Sequence, residues 1–399
     1  MGVFTRSCLY AATVVIALGS AARSQEPSRP PAQGWEVVGL PALNFDSDEG
    51  FGYGVLAEVY NYGNGARPYK YTIQPTVFFT TKGRRDFVVF FDAPTLLPHD
   101  VRLDAFAGRE QQLAAPYYGI GNDAGFSDQL QQPPNAYYYR YGRTQVRLLA
   151  NLQHRVGQLP ARVLVGGGFA DVRTDPTPFD SGTTLLAQQL GGAPAPRGRI
   201  AYLRTGLVWD TRDREIAPHA GAYGDLLVQR VDRAFGAANS YTRFTAIGRK
   251  YFPLAARLTL AQRAVVQQTA GDVPLYDIAT IQTSYKEQEG LGGNSSIRGL
   301  PKNRFVGKGL VMLNTDLRWR FTEFTMRHKP AHLVLSGFLD VGRVWSESIK
   351  VGELASDLNS GYGGGLRVGL GPSFVVALDV GRSPQSNSTQ IYIGLGYPF

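Results

Sequence analysis

The chain has one cysteine among 399 residues, Cys8, and it falls in an N-terminal segment with the marks of a removable leader. Once that segment leaves, no disulfide framework, thiol nucleophile or thiolate metal site can be built. Long apolar runs are missing too. After Leu18 no stretch of 18 apolar residues occurs, which excludes transmembrane helices. No GxSxG elbow presents a serine nucleophile, and no phosphate loop appears. Histidine is scarce: His99, His154 and His219 are isolated. His328 and His332 have a spacing that binds zinc on a helix, but here they straddle a turn and a strand start. No metal, cofactor or enzymatic activity is expected.

What is present at the N-terminus is a secretion signal. Arg6 precedes an apolar stretch from Cys8 to Leu18, and the small residues Ser20, Ala21 and Ala22 follow. Cleavage is expected near Ala22 or Ser24, so residues 1–24 form the signal peptide. Residues 25–34 form a short Pro-rich lead, too short for a folded periplasmic domain, and 35–399 form one domain.

The other end is equally informative. In QIYIGLGYPF (390–399), Ile391, Ile393, Leu395, Tyr397 and Phe399 fall on one face of an extended strand. About ten residues with one apolar face match a tilted transmembrane strand. A bilayer forbids open sheet edges, so one such strand requires a closed barrel. A strand ending on Tyr397 and Phe399 resembles the C-terminal signal by which assembly machinery recognises outer-membrane proteins of Gram-negative bacteria. Tyr and Phe total 42 and Gly 47, as aromatic girdles and glycine-rich turns require. The net charge of +9 invites a nucleic-acid reading. The cations are scattered singly along strands and turns, however, which favours a basic lumen or contact with anionic outer-membrane lipids, including lipopolysaccharide.

Strands are expected near 35–45, 50–61, 69–80, 85–93, 100–109, 138–155, 161–172, 200–211, 220–231, 240–252, 257–268, 308–321, 332–345, 361–370, 373–383 and 390–399. The fold class is therefore an all-β, closed, antiparallel transmembrane barrel of about sixteen strands. Short connections such as 156–160, 253–256 and Gly371-Pro372 alternate with long ones at 110–137, 173–199, 269–307 and 346–360. With both termini periplasmic, the long loops all fall outside. Faces follow from charge. In 308–321, Val311, Leu313, Thr315, Leu317, Trp319 and Phe321 alternate with Asn314, Asp316, Arg318 and Arg320. A charge facing mid-bilayer lipid costs roughly 2–4 kcal/mol, so the polar set faces the lumen. The same parity in 332–345 turns Leu333, Leu335, Leu339 and Val341 outward, and Phe338, Asp340 and Gly342 inward.

Three motifs converge: GGNSSIRGL (292–300), GFLDVG (337–342) and GLVWDTRDREIAPHAG (206–221). Together they resemble the barrel of the BamA/TamA-type outer-membrane assembly superfamily, also called the bacterial surface antigen family. YYGIGND (117–123) is similar to a loop motif of its smaller members. The resemblance covers roughly Trp35 to Phe399 and is strongest after Ile200. It implies that the sixth loop folds back into the lumen, where Arg298, flanked by Ile297, Gly299 and Leu300, meets Asp340 of the Phe338-x-Asp340-x-Gly342 strand. A guanidinium can engage a carboxylate through two parallel hydrogen bonds, fixing orientation as well as charge. Gly292, Gly293 and Gly299 permit the tight backbone that such a tip needs. Leu300 stands where an aromatic is commoner. Asp210, Arg212 and Asp213, leading to Pro218 and Gly221, are expected to brace a periplasmic turn rather than to catalyse.

Two functions are in view. The resemblance implies assembly or translocation of other chains, with unfolded client proteins as partners and a weak seam between the first and last strands as the route. Gly394, Gly396 and Pro398 weaken that last strand. The alternative is a passive pore or surface protein, with Arg257, Arg263, Arg318 and Arg320 favouring anions.

Overall fold

The computed structural model describes residues 33–399 except 67–68, 95, 133–134, 181–182, 216, 286, 327–328 and 371–373. The leader at 1–24, most of the Pro-rich lead, the Gly371-Pro372 turn and His328 lie outside the described residues. Sixteen strands close one antiparallel barrel. They are β1 (Gly34–Asp46), β2 (Gly50–Gly63), β3 (Tyr71–Thr80), β4 (Arg84–Ala93), β5 (Val101–Pro116) and β6 (Arg140–Arg155). There follow β7 (Ala161–Asp175), β8 (Arg197–Asp210), β9 (Gly221–Val231), β10 (Tyr241–Ala255) and β11 (Leu258–Gly271). A hairpin of two-residue strands, β12 (Thr280–Ile281) and β13 (Gln288–Glu289), lies outside the wall. The wall resumes with β14 (Gly309–Met326), β15 (Lys329–Trp345), β16 (Asn359–Leu370), β17 (Phe374–Arg382) and β18 (Gln390–Leu395).

Alternation along the strands sorts side chains by solvent. On β14, Leu313, Leu317 and Trp319 are exposed while Asn314, Asp316 and Arg318 are buried in the lumen. On β15, Leu335 and Leu339 point out, and Phe338 and Asp340 are buried. The outward set meets hydrocarbon, so its exposure to solvent is that of a membrane face rather than of a soluble surface. Connections 117–139, 176–196, 272–308 and 346–358 all emerge at one end, and 156–160 and 256–257 at the other, as the alternation of loop lengths requires.

The lumen is filled rather than open along its length. Residues of the 272–308 connection turn inward: Ile281, Leu291, Ile297, Leu300 and Phe305 pack on Ile247, Val265, Leu310, Met312 and Val344 of the wall. An apolar plug inside a polar-lined barrel has no alternative place to bury those side chains.

The last strand departs from expectation. β18 ends at Leu395, not at residue 399, and the segment beyond it leaves the wall. Gly396 adopts φ +81° and Pro398 has no ladder donor, so the extended run breaks there. Ile391, Ile393 and Leu395 remain on the outward face. Tyr397 and Phe399 do not. Phe399 is buried with Tyr251 and Ala261, and Tyr397 lies beneath the Arg318 guanidinium at 4.2 Å.

Candidate functional site

The long connection delivers Arg298 to the inner wall. Its approach needs backbone that only glycine supplies: Gly292, Gly293 and Gly299 have φ of +113°, +85° and +101°. Gly299 also lies so close to β17 that a Cβ would fall 2.5 Å from the Arg382 backbone. The receiving wall is pared back in the same way. A Cβ on Gly361 of β16 would sit 1.9 Å from the Arg298 carbonyl oxygen, and one on Gly381 would sit 2.8 Å from the Gly299 nitrogen. Gly342 leaves room for Leu291 and Ile297.

Arg298 is fully buried and makes a fork to Asp340. Its Nε donates to Oδ2 at 2.8 Å and its Nη2 to Oδ1 at 2.9 Å, while its backbone N–H donates to Oδ2 at 3.1 Å. Nη2 also reaches Asp316 Oδ1 at 2.6 Å, and Nη1 lies 3.9 Å from Asp379 Oδ2. Asn314 Nδ2 donates to Asp340 Oδ1 at 2.8 Å and to the Ser296 carbonyl at 2.6 Å. The guanidinium rests 3.7 Å above the Phe338 ring, so stacking comes from the strand, while Leu300 packs in the apolar plug. Burial opposes the Arg298 charge, but Asp340 and Asp316 hold its pKa above the usual arginine range. Arg318 also pairs with Asp316 at 3.1 Å and Arg367 makes a fork to Asp379 at 2.6 and 2.8 Å, so the site is a charge network in which Asp340 depends on Arg298.

The tip continues across the barrel. The Gly299 N–H donates to Tyr392 Oη on β18 at 3.3 Å, and that hydroxyl donates to the Leu300 carbonyl at 3.3 Å. Three residues on from Gly299, the Lys302 N–H donates to Asp48 Oδ2 at 2.5 Å and its Nζ to Glu49 Oε1 at 2.6 Å, both in the β1–β2 turn. Lys302 Nζ also lies 2.9 Å from Glu289. Burial pushes the Glu49 carboxyl up, yet Arg84 and Lys302 outweigh it and hold the group at about 2. Burial dominates at Asp48 and raises its carboxyl. One loop tip therefore touches β14, β15, β16, β17, β18 and the β1–β2 turn. Of the contacts around Arg298, the sequence indicates Asp340 by the resemblance; Asp316 and Asp379 are lumenal by parity, but nothing in their spacing marks them as partners.

The other expected residues fall elsewhere. Asp210 takes a fork from Arg212, 2.9 and 2.8 Å, and Asp213 Oδ1 accepts the His219 and Ala220 N–H groups at 3.0 and 3.2 Å. They form a closed turn at the end of the barrel opposite the long loops. The lumenal arginines are taken up internally. Arg263 donates to Asn314, Gln288 and the Ser295 carbonyl and lies 4.9 Å from the Phe399 ring. Arg318 engages Asp316 and the Phe399 carbonyl. Arg257 stands in an exposed turn, not on the lumen wall, and Arg320 pairs with Glu323 at 3.2 Å. A charged cavity of about 240 Å³ remains between the loop and β4–β6, and its Arg84, Arg143, Arg147 and Lys302 are matched by acids.

A closed sixteen-strand antiparallel barrel whose lumen holds an arginine-tipped loop defines a class of outer-membrane protein. Residues 79–399 match the Omp85 superfamily domain, and the chain belongs to that superfamily. Comparison with curated proteins finds no sequence match. Among solved structures it is similar to BamA from Haemophilus ducreyi lacking POTRA domains 1-3: TM-score 0.59 and 13% identity, over 92% of this chain and 71% of that one. CdiB from Escherichia coli gives 0.56 and 13% over 94% and 64%, and CdiB from Acinetobacter baumannii 0.52 and 12% over 92% and 60%. At these identities the likeness is one of fold. The chain spans under two thirds of either CdiB.

Proposed function

We propose that this outer-membrane barrel handles other polypeptides at the seam between β1 and β18, with the Arg298 loop tip as the latch. The observation that carries this is the pairing at closure. β1 and β18 register only at Phe45↔Ile393 and Asp46↔Tyr392, whereas β1 pairs with β2 along its whole length. Residues 34–44 of β1 therefore present an edge to which β18 adds no register pair. An unsatisfied strand edge templates an incoming strand. The resemblance to BamA and CdiB barrels supports an assembly or translocation role, with unfolded client chains as the partners. Both termini face the periplasm in this reading, and the outward apolar face of β18 is the surface open to assembly machinery. No catalysis is assigned. The acids of the turn at 210–220 are spent on their own turn, and Arg298 is sealed.

The test is to close the seam covalently. Phe45 and Ile393 are register partners, and the only native cysteine lies in the expected leader, so F45C/I393C provides a clean pair. Unfolded reporter barrel is added to liposomes holding this variant, oxidised or reduced. Insertion faster than into empty liposomes, and abolished by oxidation, is the expected result. Equal rates in both redox states would sink the seam route. No acceleration by either form would leave a passive pore or surface protein.

A further inference from the structure

The outward face of β4–β8 carries cations where a membrane barrel should be apolar. Arg85, Gln111, Thr144, Arg173 and Arg197 form one continuous cross-strand row, each opposite the next. The row below it reads Phe87, Arg109, Val146, Asp171 and Arg199. All five arginines are exposed, while Asp86, Val172 and Ile200 between them turn into the barrel. Among the described residues none of the five guanidinium groups has an ion-pair or hydrogen-bond partner within the protein. Two acids share the face: Asp171 opposite Arg199, and Asp175, whose Oδ1 caps its own turn at the Thr177 N–H. Arg173 and Arg197 are direct cross-strand neighbours, with Cβ atoms about 5 Å apart for such a pair, an arrangement that repels unless an anion lies between them.

The third row is wholly apolar: Val89, Ala107, Leu148, Phe169 and Ala201. It runs through a shallow groove of about 450 Å³ on the same outer surface, floored by small residues such as Ala105, Ala107 and Gly167 and walled by Val89, Leu148 and Phe169. Cations stand toward the long-loop end, and the groove stands toward mid-membrane. Arg85 is the second residue of β4 and Arg197 the first of β8, so these two stand at the long-loop ends of their strands, where a charge costs little.

We infer that this face binds a phosphate-bearing lipid. Its phosphates lie on Arg85, Arg109, Arg173, Arg197 and Arg199, and an acyl chain occupies the groove. The choice of leaflet rests on the orientation proposed above, which makes the ligand a phosphorylated glycolipid of the outer leaflet. The chemistry of recognition rests on the surface alone. Planar guanidinium groups suit phosphate by paired hydrogen bonds.

Native mass spectrometry of the refolded protein in neutral detergent, titrated with diphosphorylated lipid A, tests this. Wild type should hold the lipid as a discrete adduct. R173Q/R197Q/R199Q should weaken it by roughly 100-fold, at about fivefold per cation. A107F, which fills the groove without changing charge, should also weaken it, and K250Q, on a strand distant from this face, should not. Phosphatidylcholine should not compete. In lipid-free detergent the triple variant should melt above wild type, because the opposed cations are gone; lipid A should reverse that order. Equal adducts on wild type and triple variant, or equal binding of phosphatidylcholine, would overturn the proposal. Competition by inorganic phosphate at matched concentration would reassign the site to free phosphate. If the triple variant fails to show the heat-dependent gel shift of a folded barrel, R109Q carries the same test with a fivefold loss. None of these readouts involves client insertion, so lipid binding and the seam reading can fail separately.

Discussion

The barrel closes in two ways that differ sharply. From β14 to β18 the wall is held from within by a loop tip that places one buried guanidinium among Asp316, Asp340 and Asp379. Between β18 and β1 the ladder has two register pairs, and the inner tie there is Lys302 to Asp48 and Glu49. The difference teaches that the loop ties both regions, while continuous ladders back it only from β14 to β18. The strands that receive the arginine are fixed, and the strand just past them is tethered mainly by its neighbour.

The largest effect should come from Arg298→Ala. It leaves Asp340 buried without its paired cation, while Asp316 keeps Arg318 and Asp379 keeps Arg367, and breaking a buried pair costs about 3–5 kcal/mol. The loop should detach while the wall survives, since β14–β15 pairing continues along both strands. Limited proteolysis should cut 272–308 in the variant and spare it in wild type, with the strand signal in circular dichroism unchanged. A loop that stays protected would mean that the apolar plug alone holds it. Arg298→Lys keeps the charge but not the fork, so it should fall between the two.

Gly361→Ala separates shape from charge. Every charged partner remains, yet the new Cβ would fall 1.9 Å from the Arg298 carbonyl oxygen. Overpacking of this kind costs about 1–3 kcal/mol. Gly337→Ala, on the neighbouring strand with nothing within 4 Å, is the matched control and should be silent. Equal protease protection of both variants would remove the steric half of the lock.

Much of this was legible before any coordinates. Period-two alternation located the sixteen strands because hydrocarbon outside and charge inside impose opposite chemistry on adjacent residues. The folded-back tip of the 269–307 connection follows from the family resemblance, and its glycines only permit it. Three things were hidden. Asp316 is lumenal by parity, but which lumenal acid meets Arg298, Asp379 included, depends on barrel curvature and loop path, which no local pattern encodes. Leu300 stands where an aromatic is commoner, and the ring that Arg298 stacks on is Phe338 of the strand. Tyr397 and Phe399 were assigned outward because their spacing continues that of Ile391, Ile393 and Leu395. The warning lay in Gly396 and Pro398 between them, two residues that interrupt a ladder, and once the strand breaks its parity no longer applies.

A smaller effect is expected at the seam. Lys302→Met removes the Nζ half of the tie to the β1–β2 turn and leaves the Lys302 N–H on Asp48, while Glu49 keeps Arg84 and Glu289 keeps Arg143. With each acid still paired the loss should be about 1 kcal/mol, the upper range for a partly exposed ion pair. Hydrogen exchange should quicken at residues 47–52 and stay slow in β16. Faster exchange in both places would mean that seam and lock open as one unit, and the contrast between them would be lost.

The smallest effect, near zero at neutral pH, is the acid response of the same tie. Glu49 is held at about 2, below its usual 4.5, because Arg84 and Lys302 outweigh its burial. A depressed carboxyl stabilises the closed form fully above pH 4.5 and loses that contribution as pH falls from 4.5 toward 2. Asp48 runs the other way: burial raises its carboxyl, so its protonation on acidification relieves a cost and offsets part of the loss. The difference in exchange at residues 47–52 between wild type and Glu49→Gln, corrected for the intrinsic pH dependence of amide exchange, should therefore stay flat from pH 7 to 5 and change only below about 4.5. Glu49→Gln lacks the Glu49 contribution and keeps the opposing one of Asp48, so it is the reference for that difference. A difference that already changes between pH 7 and 5, or none at any pH, would assign the tie to a different titrating group, and Glu49 would no longer explain why the seam stays shut at neutral pH.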